Sequence, residues 1–216
     1  MSYKVLYMHS HHPPQDTLQD IKRIMERSSR FISLSGWSGI SAGICALLGA
    51  AAAYIRIKTY QGSRYDTGIA ATNELLTDLM VIAAATFVAA FTTAFLFTWL
   101  RSRKDNVPVW GRTAQRLFIN TVIPMAVGGI VLLRAMQWGY FELVAPGCLI
   151  FYGLALVNGS KYTVGEVRYL GYGQIILGMI NLYWIGAGLY FWAAGFGLLH
   201  ILYGAIMWWK YERGDR

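Results

Sequence analysis

The stretch Gly171–Trp209, GYGQIILGMINLYWIGAGLYFWAAGFGLLHILYGAIMWW, runs for 39 residues without one Asp, Glu, Lys or Arg. About 20 apolar residues cross the roughly 30 Å hydrocarbon core of a bilayer. The run is too long for one crossing and right for two, so it predicts helices over about 171–188 and 190–209 joined by a tight turn near position 190. Tyr183, Trp184, Tyr190, Phe191 and Trp192 gather at that turn, and Trp208 and Trp209 stand at the far end. Aromatic side chains collect in this way at the two membrane interfaces.

Four more spans precede this pair. The first covers about 31–55 and carries Gly36, Gly39, Gly43, Ala46 and Ala50 at three- and four-residue spacing, a close-packing face for a helix of this chain or of a second copy. The others cover about 77–100, 117–136 and 141–158. Phe87, Phe91 and Phe95 stripe the second. Pro124 and Pro146 fall inside the third and fourth, where neighbouring helices can satisfy freed carbonyls, so kinks are expected there rather than breaks. Composition agrees: 56% of the 216 residues are apolar and 14% charged, against about 25% charged in soluble domains. These proportions exclude a disordered chain and argue against a soluble globule. The fold class expected is an all-α polytopic membrane protein of six transmembrane helices. Residues 31–210 form its membrane domain, 1–30 a cytoplasmic leader and 211–216 a cytoplasmic tail.

In the leader, Thr17-Leu18-Gln19-Asp20 resembles a capping box, and Leu18, Ile21 and Met25 recur at helical spacing beside Lys22, Arg23, Arg27 and Arg30. This reads as an amphipathic interfacial helix over about 16–30. No cleaved signal peptide is expected, because no small-residue cleavage pattern follows the first apolar run. Counting Lys and Arg by segment puts 15 on one side of the six spans and four (Arg56, Lys58, Arg64 and Arg134) on the other. Basic residues favour the cytoplasmic side, so both termini are expected there. The net charge of +8 is thereby assigned to topology and to anionic lipid head groups, not to nucleic acid.

A search for enzyme motifs finds no phosphate-binding loop, no nucleophile elbow, no Cys-x-x-Cys and no pair of histidines at metal spacing on a helix. His9, His11, His12 and Asp16 cluster in the leader, but Pro13-Pro14 beside them argues for a flexible tail. Cys45 and Cys148 lie in apolar runs and read as packing residues. No enzyme activity, metal or cofactor is expected.

Polar residues inside spans are costly in a bilayer and are functional candidates by default. His200 falls near the middle of the sixth span, on a face with Gly197 and Gly204, while Gln174, Gly178, Asn181 and Gly188 share a face of the fifth. A turn near 190 sets Asn181 level with Leu199 and His200, so an Asn181–His200 hydrogen bond is expected. A second candidate cluster joins Asp78, Arg134 and Glu142 near the outer surface. Asp78 shares a helix face with Ala85, Ala89 and Thr92, which argues that it points into the bundle. Both clusters have bland readings as well, an interhelical hydrogen bond and an interfacial salt bridge.

Arg27-Ser28-Ser29-Arg30-Phe31-Ile32-Ser33-Leu34-Ser35-Gly36, continuing through Gly39 and Gly43, resembles the start of small bacterial multi-span membrane proteins. The resemblance covers residues 27–54. It implies a bacterial cytoplasmic (inner) membrane and brings no catalytic or binding residue with it. The function expected is binding or transport of a small solute, ion or lipid within the bundle, with a homo-oligomer supplying a second half. The alternative is a regulatory or sensory subunit whose basic leader and 101–116 loop contact a cytoplasmic partner.

Overall fold

A computed structural model describes residues 35–62, 69–104 and 110–213. The leader, where the interfacial helix is expected and the histidines cluster in sequence, lies outside the described residues, as do Arg64 and the last three positions. Among the described residues there are six helices: α1 (Gly36–Gly62), α2 (Ile69–Lys104), α3 (Arg112–Gln137), α4 (Val144–Gly159), α5 (Glu166–Tyr183) and α6 (Gly188–Tyr211). Short 3-10 turns, Phe141–Leu143 and Ser160–Tyr162, flank α4. No β-strand occurs among the described residues.

Five of these helices are long and apolar enough to cross a membrane, and α5 is not among them. The reason is visible in its composition. Its 18 residues include Glu166 and Arg168 in the first turn and Gln174 and Asn181, buried between helices, and all four lower the mean hydropathy. The turn after α5 falls at Trp184–Ala187, ahead of the expected position 190. Gly186, at φ 98°, supplies the left-handed conformation this tight turn requires.

Side-chain volume sets which helices meet. Packing runs from α2 to α1, from α1 to α6, from α6 to both α4 and α5, and from α4 to α3. A Cβ at Gly36 would lie 2.5 Å from the Gly204 carbonyl oxygen, and one at Gly43 would lie 2.7 Å from that of Gly197. The small-residue face of α1 therefore meets α6 of the same chain. Gly153 and Gly171 seat α4 on α5 in the same way, with Gly178 against the Pro146 carbonyl farther along. Such close backbone contact is how helices associate where lipid offers no hydrophobic drive.

By contrast, no residue in the most apolar window of α2 is buried. Phe87, Phe91 and Phe95 stack along its exposed face with ring centroids 6.2 and 6.3 Å apart. Pro124 sits within a continuous α3. Pro146 is the third residue of α4, where its missing N–H would have had no intrahelical partner, so the expected kink in the fourth span is replaced by an ordinary helix start. Glu212 closes one end of the bundle by accepting from the Gly36 N–H at 2.6 Å and the Ser35 hydroxyl at 3.1 Å. It thereby caps α1 from just beyond α6.

Candidate functional site

The interior of the α4–α5–α6 interface is polar at its centre. Gln174 on α5 has no exposed surface and His200 on α6 keeps 7%. The His200 Nδ1 lies 3.0 Å from the Gly195 carbonyl oxygen, and its Nε2 lies 2.8 Å from the Tyr152 hydroxyl of α4. A carbonyl can only accept, so in the neutral ring Nδ1 carries the proton and Nε2 accepts from the Tyr152 O–H. Gln174 Nε2 donates to the same Gly195 oxygen at 2.8 Å, occupying its second lone pair, and approaches Nδ1 at 3.4 Å.

The local backbone makes this possible. Residues Ala193–Leu199 are π-helical. In an α-helix, at about 100° per residue, positions 195 and 200 would point some 140° apart. The wider π turn brings residues five apart onto one face, and π segments of this kind recur at functional sites. Gly195 also has no room for a side chain, because a Cβ there would meet Gln174 Oε1 at 2.6 Å. Phe196 stacks beside the imidazole at 6.0 Å and Tyr152 at 5.5 Å, giving the polar centre an aromatic wall.

Three buried side-chain atoms have no hydrogen-bond partner among the described residues: Gln174 Oε1, Asn181 Oδ1 and Tyr203 Oη. The Asn181 amide donates to the Trp184 carbonyl oxygen at 3.2 Å, not to His200. The expected pairing fails because the turn at Trp184–Ala187 sets Asn181 beside Gly188, and it is Gln174 that reaches His200. Tyr152 is the member of the centre that sequence reasoning misses. A tyrosine within an apolar run carries no sequence signal that separates it from an interface anchor.

The expected outer triad is also redistributed. Asp78 accepts from Arg56 Nε at 2.5 Å, and Glu74 from Arg56 Nη2 at 3.3 Å, so both carboxylates answer to α1. Arg134 donates instead to Gln137 at 2.7 Å and lies over the Trp138 ring, while Glu142 is exposed in its 3-10 turn. The cause is packing order: α2 rests on α1 and α3 on α4, with no substantial packing between α2 and α3. Ala85 and Ala89 are exposed, and the face of α2 turned to α1 carries Thr86 and Thr93.

At the opposite end of α5, Glu166 pairs with Lys210 and accepts from the Tyr211 hydroxyl at 2.9 Å. Partial burial pushes the Glu166 carboxyl up, but the hydrogen bonds from Lys210, its own backbone and Tyr211 outweigh it and hold it below the usual carboxylate range. No cluster of three or more His, Cys, Asp or Glu suited to a metal occurs among the described residues. An apolar groove of about 210 Å³ between α1 and α6, lined by Leu47, Ala50, Leu189 and Ala193, does not include His200. No family model, no curated protein and no solved structure matches the chain. What fold and site define is a helical bundle of membrane-protein character around a buried His–Tyr–Gln centre.

Proposed function

We propose that the chain is a six-span protein of the bacterial inner membrane, with both termini cytoplasmic, that binds and passes a small solute or ion at Gln174, His200 and Tyr152. The six-span reading is supported by the packing of α5 on α4, since Gly153 meets Gly171 and Pro146 meets Gly178 along their shared length. A helix seated in this way crosses wherever α4 crosses. Its 18 residues, at about 1.5 Å each, reach roughly 27 Å.

The observation that carries the functional reading is Gln174. It is wholly buried, with one end of its amide bonded and the other, Oε1, without a partner. Leaving a polar atom unpaired in a dry interior costs about 1–3 kcal/mol, a cost usually tolerated for a purpose. The test is thermal unfolding in detergent from pH 5 to 8 with added sodium, potassium, chloride, phosphate or small amino acids. At least one of these variables, proton concentration included, is expected to shift the wild-type midpoint and leave His200→Gln unmoved. Identical responses of the two proteins to every variable would overturn the reading and return the alternative, a regulatory subunit, to first place.

A further inference from the structure

The three unpartnered atoms are not scattered. Asn181, Gln174 and Glu166 lie along α5, with His200, Tyr203 and Lys210 on α6 and Tyr152 on α4, all in the same three-helix interface. Depth follows from the glycine contacts. Because Gly153 meets Gly171, Tyr152 stands level with the Gly171–Tyr172 turn of α5. The order along the interface is therefore Asn181, Gln174, then His200 with Tyr152, then Tyr203, then Glu166 with Tyr211 and Lys210. Tyr203 packs with Leu156 against Val164, Val167 and Met207, between His200 and the Glu166 end.

The imidazole divides this file in two. Its Nδ1 faces Gly195 and Gln174, toward Asn181, and its Nε2 faces the Tyr152 hydroxyl. We infer that the ion served by this site is the proton, and that the polar file from Asn181 to Glu166 is its path, with His200 as the relay between two halves. The inference rests on the proposed binding role of His200 and names its ligand.

The chemistry favours a proton over other ions. A metal cation needs several oxygen ligands at one level, commonly six or more. The file offers one or two polar atoms per level and a carboxylate only at the Glu166 end. A proton needs one donor and one acceptor per step. In the central step the Tyr152 hydroxyl turns away, water gives a proton to Nε2 to form one N–H bond, and the Nδ1–H bond breaks as its proton passes to water held by the free Gln174 Oε1. One proton enters and one leaves, with no change in electron count. Water carries it between side chains a helical turn or more apart, including Gln174 and Asn181, whose free oxygens can accept from such water. A half-turn of the ring then carries Nε2–H to the Gln174 side and bare Nδ1 to the opposite side. A second proton enters at Nδ1 as one leaves from Nε2, and the reverse half-turn restores the first tautomer and orientation. The groups facing His200 are Tyr152 from α4, Gln174 from α5 and Phe196 with the Gly195 carbonyl from α6, while the Tyr203 ring, one turn along, lies beside Gly39 of α1. Among the described residues no carboxylate or second base faces the ring.

Purified protein in phospholipid vesicles, with a trapped pH dye and valinomycin clamping the potential in potassium gluconate, gives the test. Wild-type vesicles should collapse an imposed pH gradient at least about tenfold faster than protein-free vesicles, and His200→Gln and Tyr203→Phe should each remove at least about nine-tenths of that excess. Tyr203→Phe deletes only an oxygen without a partner, so its melting profile should match wild type and separate loss of conduction from loss of fold. Lys58→Ala, outside the file, should conduct normally. Wild-type vesicles no faster than protein-free ones, or wild-type rates in either relay variant, would overturn the inference. If in that case sodium, phosphate or an amino acid still shifts the midpoint through His200, the binding function stands and only its ligand is wrong. If no variable shifts it, both fall.

Discussion

At the scale of single residues, what distinguishes the centre is that each partner of His200 comes from a different source: Tyr152 from α4, Gln174 from α5 and the Gly195 carbonyl from its own helix. Gln174 and His200 are legible in the sequence, because polar residues inside apolar spans announce themselves by cost. Their pairing is not, since it depends on a turn displaced by a few residues, and with that displacement Asn181 bonds the Trp184 carbonyl while Gln174 reaches His200. A double-mutant cycle separates the two arrangements. His200→Leu combined with Tyr152→Phe should show a coupling energy of about 0.6–1.7 kcal/mol in unfolding measurements, in the range found for hydrogen bonds between membrane helices. His200→Leu combined with Asn181→Leu should be additive within about 0.5 kcal/mol, as for residues that share no partner. Coupling in the second pair and none in the first would restore the arrangement expected from sequence.

At the scale of elements, six helical segments can be read from apolar length, and the α1 glycine face from spacing, because both are local properties of the chain. The π segment Ala193–Leu199 cannot, since Gly195 and Gly197 permit it without requiring it. What fixes it is tertiary: Leu149 and Gln174 crowd Gly195, and Leu47 crowds Gly197. The α1–α6 contact is the most sharply constrained in the bundle. A Cβ on Gly204 would lie 2.5 Å from the Gly36 carbonyl oxygen and 2.6 Å from the Ile40 nitrogen, both backbone atoms that cannot yield alone. Gly204→Ala must therefore push two helices apart, and overpacking of this kind costs about 1–3 kcal/mol. Gly129, in the same kind of apolar helix, has nothing within 4 Å of the place a Cβ would take. Gly129→Ala should then be neutral or slightly stabilising through helix propensity. Equal losses of melting temperature for the two would mean that the close approach of α1 and α6 contributes nothing.

At the scale of the whole molecule, the order in which helices pack is hidden from the sequence, because it is set by which small-residue faces find one another and not by the period of any one helix. That order is why Asp78 answers to Arg56 and not to Arg134. It also sharpens the question of how many times the chain crosses. Hydropathy alone counts five helices, which would put the two ends of α5 on one side, whereas the proposed crossing of α5 beside α4 makes six and puts them on opposite sides. Single cysteines in a Cys45→Ser, Cys148→Ser background decide between these. Gln61→Cys at the end of α1 and Trp184→Cys after α5 should react with a membrane-impermeant maleimide from outside intact cells. Lys104→Cys after α2 and Lys161→Cys before α5 should react only after permeabilisation, as the 15-to-4 distribution of basic residues demands. All four positions carry exposed side chains, so a silent site reports sidedness and not burial. Ser102, which is 2% exposed, would not serve. Labelling of Lys161→Cys and Trp184→Cys from the same side would remove α5 from the membrane. The polar file could not then lie across the bilayer, because Asn181 and Glu166 would open onto one compartment.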